Sequence, residues 1–291
     1  MPNVQIDRVA EIIAEVAVAE IMPRFRNLAP GDVETKAAND FVTVADKSAE
    51  VALTQRLKDL LPGSVVLGEE AFAKDQSILN LLDSDDYLWV IDPIDGTSLF
   101  KDGQSGFGVM VALMRRGERL AGWIHDPLSK DTIMGEQGAG VRLRDGTALR
   151  LAFDATAHSV LPAMIGWKIK GWLDDFPGLV SGVDLPFTFA PGRCSASAYP
   201  LLFTGARRFA NSASGTAAVF FLRMTHIWDH APGVFLVEEA GGFSMTWSGA
   251  PYDGKNSLSG LIVAPSREVA ENFKRFAKPL IDKHFNTISI S

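Results

Sequence analysis

A single cysteine, Cys194, stands in a chain of 291 residues, so no intrachain disulfide can form and a reducing compartment is favoured. Histidines number five, which with one thiol leaves little material for a soft-metal site. Basic charge is in deficit as well: 28 Lys and Arg face 35 Asp and Glu, for a net charge of -7. That balance lacks the basic footprint of a general nucleic-acid binder, and the pairs Arg115-Arg116 and Arg207-Arg208 read as solvated surface. Long apolar runs are missing too. No segment approaches the roughly 18 uninterrupted apolar residues of a membrane span. The opening MPNVQIDRVAEIIAEVA carries acid early, where a secretory signal carries base. These absences predict a soluble, cytoplasmic protein that engages neither nucleic acid nor membrane.

What is present is ordinary globular material, 47% hydrophobic and 22% charged, long enough to bury a sizeable core. Val4, Ile6, Val9, Ile12, Ile13, Val16 and Ile21 recur at mostly helical spacing, which predicts a helix over 4–22. A second helix is predicted from Ala45 to Leu61, stopped by Pro62-Gly63. The short stretch Phe41 to Val44 fits a strand end or a helix lead-in. Strands are predicted at 65–67, 88–91, 106–114, 119–124 and 131–142, with turn signals at Arg116-Gly117 and Asp145-Gly146. Residues 155–192 mix Trp167 and Trp172 with glycine and proline and support no clear assignment, and 216–224 fits helix or strand. A helix from His230 to Glu239 follows Asp229 as its N-cap and stops at Gly241-Gly242. Strands at 243–247 and 260–263 and a last helix over 266–284 complete the pattern. Without repeat or linker, this alternation predicts one α+β or α/β domain over 1–291, with subregions of about 1–150 and 151–291.

Four acidic residues share a position type: each ends an apolar run or begins a helix. They are Glu69 after VVL, Asp92 after LWVI, Asp95 just beyond, and Asp229 after HIW. Such ends are where α/β folds place functional groups. Carboxylates gathered at one point repel one another, and oxygen-only ligation of Mg²⁺, Mn²⁺ or Ca²⁺ would hold them together. Within WVIDPIDGTSLF (89–100), Pro93 keeps Asp92 extended and predicts that the chain turns directly after the strand. Asp92, Asp95 and the Ile94 carbonyl can then share one volume. The N–H groups of Gly96 and Thr97 would open the next helix, an anion site whose usual guest is phosphate. Read singly, DPIDGT is a capped loop, GEE is surface acid, and Asp46 and Asp229 are N-caps. Together they suggest metal-assisted phosphoester hydrolysis, in which two metals about 3.5–4 Å apart clamp the attacking and leaving oxygens.

The combination resembles the inositol monophosphatase-like family of metal-dependent, lithium-sensitive phosphatases. The pieces that carry the resemblance are Lys36 with DFVTVAD (40–46), GEE (68–70), WVIDPIDGT (89–97) and WDHAPGVFLVEEAGG (228–242), with a weaker match over 122–140. The resemblance implies a layered αβαβα sandwich, assembled as a homodimer. It further implies that Glu69, Asp92 and the Ile94 carbonyl hold one Mg²⁺, that Asp92, Asp95 and Asp229 hold a second, and that Glu69 shares a third, weaker ion, Mn²⁺ being an alternative. Thr97 with Asp46 would deprotonate a metal-activated water, and the Gly96 and Thr97 N–H groups would take phosphate oxygens. Lys36 would give electrostatic support. No covalent intermediate is implied.

The sequence also departs from that pattern. The inositol enzymes carry Glu seven residues before the WD aspartate, and here that offset is Leu222, which removes a hydroxyl acceptor. THIWD is similar to the 3'(2'),5'-bisphosphate nucleotidases of the same superfamily, yet Ser98-Leu99-Phe100 is not their Lys-Glu-Phe. The substrate loop has two candidates: Arg193 with Ala196-Ser197-Ala198, which fits the order, and Gly215-Thr216-Ala217. Arg193, Ser197, His226 and His230 are candidate substrate contacts. The expected ligand is a small phosphorylated metabolite, with inositol or sugar phosphates, histidinol phosphate, adenosine bisphosphate and fructose 1,6-bisphosphate as candidates. A protein-binding regulator that retains the fold is the alternative from a different class.

Overall fold

A computed structural model of the chain describes residues 4–37, 40–151, 161–166, 187–192, 194–204, 218–221 and 225–285. It opens with α1 (Ile6–Val16), which runs into a π-helical turn at Ala17–Ile21 and a 3-10 turn at Met22–Arg24. The expected single helix over 4–22 is thus three pieces, and the last change of pitch falls where Pro23 enters the turn and withholds an N–H. A hairpin follows, β1 (Val33–Ala37) with β2 (Asp40–Thr43), which settles Phe41 to Thr43 as strand. Then come α2 (Val44–Leu60), β3 (Val65–Gly68), α3 (Glu69–Lys74), β4 (Tyr87–Asp95) and α4 (Thr97–Lys101). Four antiparallel strands close the first half: β5 (Gly108–Arg115), β6 (Glu118–Asp126), β7 (Asp131–Glu136) and β8 (Gly140–Leu143). The expected strand over 131–142 is two strands, broken by a turn at 137–139.

The second half holds β9 (Arg150–Leu151), β10 (Leu161–Gly166), β11 (Phe187–Gly192), α5 (Ser195–Ala198), β12 (Phe203–Thr204) and β13 (Ala218–Phe221). It ends with α6 (Ile227–Glu239), β14 (Phe243–Met245), β15 (Leu261–Ala264) and α7 (Arg267–Phe285). Within 216–224 the described residues form the strand β13; most of the unassigned stretch 155–192 lies outside the described residues.

Two sheets organise these elements. The first has six strands in the order β3-β4-β5-β6-β7-β8, antiparallel except for the β3–β4 pair. The second has the order β11-β10-β13-β15-β14. Strand β4 is apolar throughout its first half because both its faces are covered. Its Trp89 and Ile91 join Val9, Ile13, Leu53 and Leu57 of α1 and α2 in one core. Its Leu88 and Val90 join Val234, Leu236 and Val237 of α6 in the other, together with Leu261 and Val263 of β15. Helix α6 therefore lies between the two sheets, and α7 covers the outer side of β14 and β15. The layers read α, β, α, β, α. Each fully buried large side chain contributes about 1.5–3 kcal/mol, so the two cores dominate the stabilisation. No helix among the described residues is long and apolar enough to cross a membrane.

Close packing in the middle layer sets a specific requirement at Gly233 of α6. A Cβ there would stand 2.2–2.4 Å from ring atoms of Tyr199, whose hydroxyl is tied to His230 Nδ1 at 3.0 Å and so restrains the ring. Gly233→Ala would gain about 1 kcal/mol of helix propensity, but overpacking of this kind costs about 1–3 kcal/mol. The expected outcome is a lower urea midpoint with an unchanged m-value; a variant as stable as the parent would contradict this packing account.

Candidate active site

The site begins with an irregularity in β4. Asp92 pairs across the sheet with Met110 and Asp95 with Gly108, so three steps along β4 oppose two along β5. In a regular strand, residues three apart face opposite sides. The extra residue of this bulge brings Asp92 and Asp95 to the same side. The strand therefore runs on through Asp95, and the turn expected after Asp92 comes at Gly96, where φ is +89°. An L side chain is strained at that angle, and a Cβ would also meet Cys194 Sγ at 3.1 Å and the Phe107 Cα at 3.3 Å. Thr97 then opens α4.

Asp229 enters from the first turn of α6. The expected N-cap role is corrected: His226 is the N-cap, its backbone extended, and Asp229 lies inside the helix. Carboxylate oxygens of Asp92, Asp95 and Asp229 all lie within 4.8 Å of one another. Glu69 opens α3 beside them, at the end of the strand paired with β4. Its Oε1 accepts a hydrogen bond from Lys36 Nζ at 3.0 Å, and the same ammonium donates to Glu70 at 2.7 Å. Burial and these two partners work against each other on Lys36, and the glutamates prevail, raising its pKa.

Asp46 is likewise not an N-cap. Thr43 caps α2, and Asp46 closes a capping box by accepting the Thr43 N–H at 2.8 Å and its hydroxyl at 2.5 Å, both on Oδ2. The other oxygen, Oδ1, lies 3.1 Å from Thr97 Oγ1, which is also 3.0 Å from the Ile94 carbonyl. One hydroxyl proton thus has two acceptors in reach, and the Thr97 oxygen is joined to a fully buried carboxylate. A hydroxyl placed in this way can pass its proton to the carboxylate.

The electrostatics follow from crowding. Burial raises the pKa of Asp92 far above the carboxylate range, and the charges of Glu69, Asp95 and Asp229 each raise it further. Burial pushes Glu69 up to about 8, with Glu70 and Asp46 adding to the rise and Lys36 opposing it. Burial takes Asp46 up to about 6 against the hydrogen bonds from Thr43. Asp95 reaches about 6 despite N–H groups of Ala196, Ser195 and Gly96 aimed at it. Oxygen donors in this number, with their charges raising one another's pKa, fit a hard divalent cation.

The candidate substrate residues fare differently. Ser197 sits in α5, its hydroxyl donating to the Cys194 carbonyl at 3.1 Å, and the neighbouring Ala196 N–H donates to Asp95 Oδ2. Arg193, Leu222 and the alternative loop at 215–217 lie outside the described residues. His226 is half-buried, stacked on Trp228 with centroids 4.6 Å apart and planes 5° apart. His230 does not face a substrate: it is buried against Tyr199, and burial lowers its pKa to about 3. Two neighbours of the site were not singled out from the sequence as part of it. Cys194 packs beside Gly96, and Glu50 reaches the first turn of α3 from α2. The one signal that could have found Glu50 is its spacing, four residues after Asp46 on a predicted helix.

Comparison with known proteins agrees with this geometry. Residues 3–285 match the model of the inositol monophosphatase family. An inositol-1-monophosphatase of Caulobacter vibrioides is 30% identical over 244 residues, covering 78% of this chain and 85% of that protein. The Nus factor SuhB of Pseudomonas aeruginosa is 28% identical over 228 residues, covering 75% of this chain and 76% of its own. Among solved structures, the Thermotoga maritima IMPase has a TM-score of 0.72 at 22% identity and covers 94% of this chain and 98% of its own, a likeness of fold. With a match over nearly its whole length, the chain belongs to the inositol monophosphatase family.

Proposed function

We propose that the protein is a Mg²⁺-dependent phosphatase of a small phosphate monoester. The observation that carries this reading is the convergence of Asp92, Asp95 and Asp229 oxygens within 4.8 Å beside the Gly96–Thr97 helix opening. Glu69, Asp92 and the Ile94 carbonyl would hold one ion and Asp92, Asp95 and Asp229 another, with Glu69 sharing a third and Mn²⁺ as a substitute. A bound Mg²⁺ would supply the positive charge that neutralises the carboxylates, polarises a phosphoryl oxygen and acidifies water.

The chain's own residues do the rest. The N–H groups of Thr97 and of Gly96, the latter shared with Asp95, take phosphate oxygens and fix the phosphorus for attack from one side. Thr97 Oγ1 accepts a proton from the attacking water as it passes its own to Asp46 Oδ1, 3.1 Å away. The capping box keeps Asp46 from turning away. Lys36 steadies Glu69 and limits the negative potential of the cluster. Ser197, with Arg193, belongs to the wall that reads the alcohol. Because Leu222 stands where the inositol enzymes have a hydroxyl-accepting Glu, that alcohol need not be inositol; histidinol phosphate and 3'-phosphoadenosine 5'-phosphate are the alternatives. We further take the chain as one domain, working as a lithium-sensitive homodimer in the cytoplasm. A second reading, a regulatory binding role, is favoured by relatives named Nus factor SuhB. Partner capture that survives Asp92→Asn would support it.

Phosphate release from a panel of inositol 1-phosphate, histidinol phosphate, 3'-phosphoadenosine 5'-phosphate and fructose 1,6-bisphosphate should require Mg²⁺ and stop with EDTA. Thr97→Ala should lower kcat about 10²–10⁴-fold, the usual worth of a positioned proton-transfer group. Asp92→Asn should abolish release, and retained turnover in it would refute the assigned mechanism.

A pH dependence of stability follows as well. Asp46 and Asp95 at about 6 and Glu69 at about 8 are raised in the folded state. Their stabilisation is present at acid pH and lost as pH rises toward those values. His125 and His230, lowered to about 4 and 3, act oppositely but only below their ordinary 6.5. Between pH 6.5 and 8 the remaining loss comes from Glu69 and from Glu50, which burial pushes up to about 7. In EDTA, Tm should fall across that window, and the rise in Tm on adding Mg²⁺ should grow; a flat EDTA curve would show that the carboxylates are not clustered in solution.

A further inference from the structure

Helix α2 carries two buried carboxylates one turn apart, Asp46 and Glu50, and the chemistry above uses only the first. Glu50 Oε2 accepts the Glu70 N–H at 2.8 Å, and its Oε1 accepts the Ala71 N–H at 2.8 Å. First-turn N–H groups have no partner within their own helix, so Glu50 caps α3 from another helix. Space for it exists because residue 68 is glycine: a Cβ there would lie 2.4 Å from the Glu50 carboxyl carbon. Glu69 is thereby held from both sides. Before it, Gly68 is in register with Ile91 of β4; after it, Glu50 grips the next two N–H groups.

The spacing of the two acids matters. Residues four apart on a helix lie on the same face. Asp46 reaches Thr97 at the start of α4, and Glu50 reaches the start of α3. A single rigid helical turn, about 5.4 Å of rise, therefore links the proton relay to the backbone that carries Glu69. Uncharged residues would fill α2's inner face without the desolvation of a second carboxylate, as Ala49 and Leu53 do. A glutamine would keep the shape of Glu50 but offer one oxygen to two donors and turn its own NH₂ toward the other.

We propose that Glu50 is a positioning residue for Glu69: through the Glu70 and Ala71 N–H groups it sets where the Glu69 carboxylate stands relative to Asp92, and so governs the affinity of the cation that Glu69 helps to hold. The proposal rests on the metal reading given above. Its test is Mn²⁺ binding to the full chain, followed by the electron paramagnetic resonance of free Mn²⁺, with Tm in EDTA measured alongside. Glu50→Gln should raise the Mn²⁺ dissociation constant of one class of sites about tenfold and raise the Mg²⁺ needed for half-maximal phosphate release by a similar factor. The rate at saturating Mg²⁺ and the KM for the ester should stay near those of the parent. Gly68→Ala, which pushes on the same carboxylate while keeping it, should do likewise, and the double variant should be no worse than either single one. If Glu50→Gln does not fold, Gly68→Ala carries the same prediction with Glu50 intact. A lower Tm in EDTA with an unchanged Mn²⁺ isotherm would overturn the proposal by showing a purely structural cap. So would a loss of rate that saturating Mg²⁺ does not restore. A parent chain that binds no Mn²⁺ would overturn the metal reading itself, and the role of Glu50 with it.

Discussion

Repulsion among carboxylates at the end of β4 is the constraint around which the molecule is arranged. Asp92 is almost wholly buried, and the charges of Glu69, Asp95 and Asp229 all bear on it. In a low dielectric such charges interact far more strongly than in water, and an unpaired buried charge is among the most costly features a fold can carry. Each acid is therefore fixed by covalent or hydrogen-bonded geometry rather than left to find its place. The bulge in β4 turns Asp92 and Asp95 to one side. The N-cap at His226 leaves Asp229 inside its helix, facing the strand end. The capping box of Thr43 locks Asp46.

The layers around the cluster serve the same end. Helices α1 and α2 on one face of the six-stranded sheet and α6 on the other leave β4 no solvent-exposed side along its apolar run. A strand so enclosed cannot shift register without moving two cores, which holds the bulge in place. Helix α6 does two tasks: its apolar positions join both sheets, and its first turn delivers Asp229. The contact of Gly233 with Tyr199 ties that helix to the segment whose Ala196 N–H meets Asp95. Stability of the middle layer and placement of the acids are one problem.

Much of this was legible in the amino acids, and the failures have physical causes. Helix α1 and strand β4 declared themselves because an apolar period of 3.6 or an unbroken apolar run has few other meanings. DPIDGT, a capped loop when read singly, suggested a site only through its company, the GEE and WD acids that end other apolar runs. The β1–β2 hairpin was not legible as such, since VETKA is short with Val33 its only strongly apolar residue, and its β2 partner is four residues long. Asp46 and Asp229 were misread in isolation for one reason: an acid at a helix start is equally a cap or a ligand, and only the fold shows Thr43 and His226 already capping. The bulge escaped because register is a property of two strands. Glu50 escaped because an acid on a helix reads as solvent-facing until a partner helix end is found opposite it.

The cluster also bears on what kind of protein this is. A chain whose only task was to present a surface would have no use for Glu69 beside a buried Asp92 whose pKa its charge raises. Replacing Asp92 by an uncharged residue of similar size would relieve that repulsion, and the two cores would still hold the fold. The acids are instead accompanied by parts that make sense only together with them. Gly96 takes an angle that strains other residues, Thr97 is joined to a buried carboxylate, and Glu50 grips the helix that Glu69 begins. A binding role can be added to such a site at no structural expense, because it needs only the exterior. The interior, with its closely placed and mutually dependent acids, is instead what a hard cation would hold together, and the proposed activity rests on that.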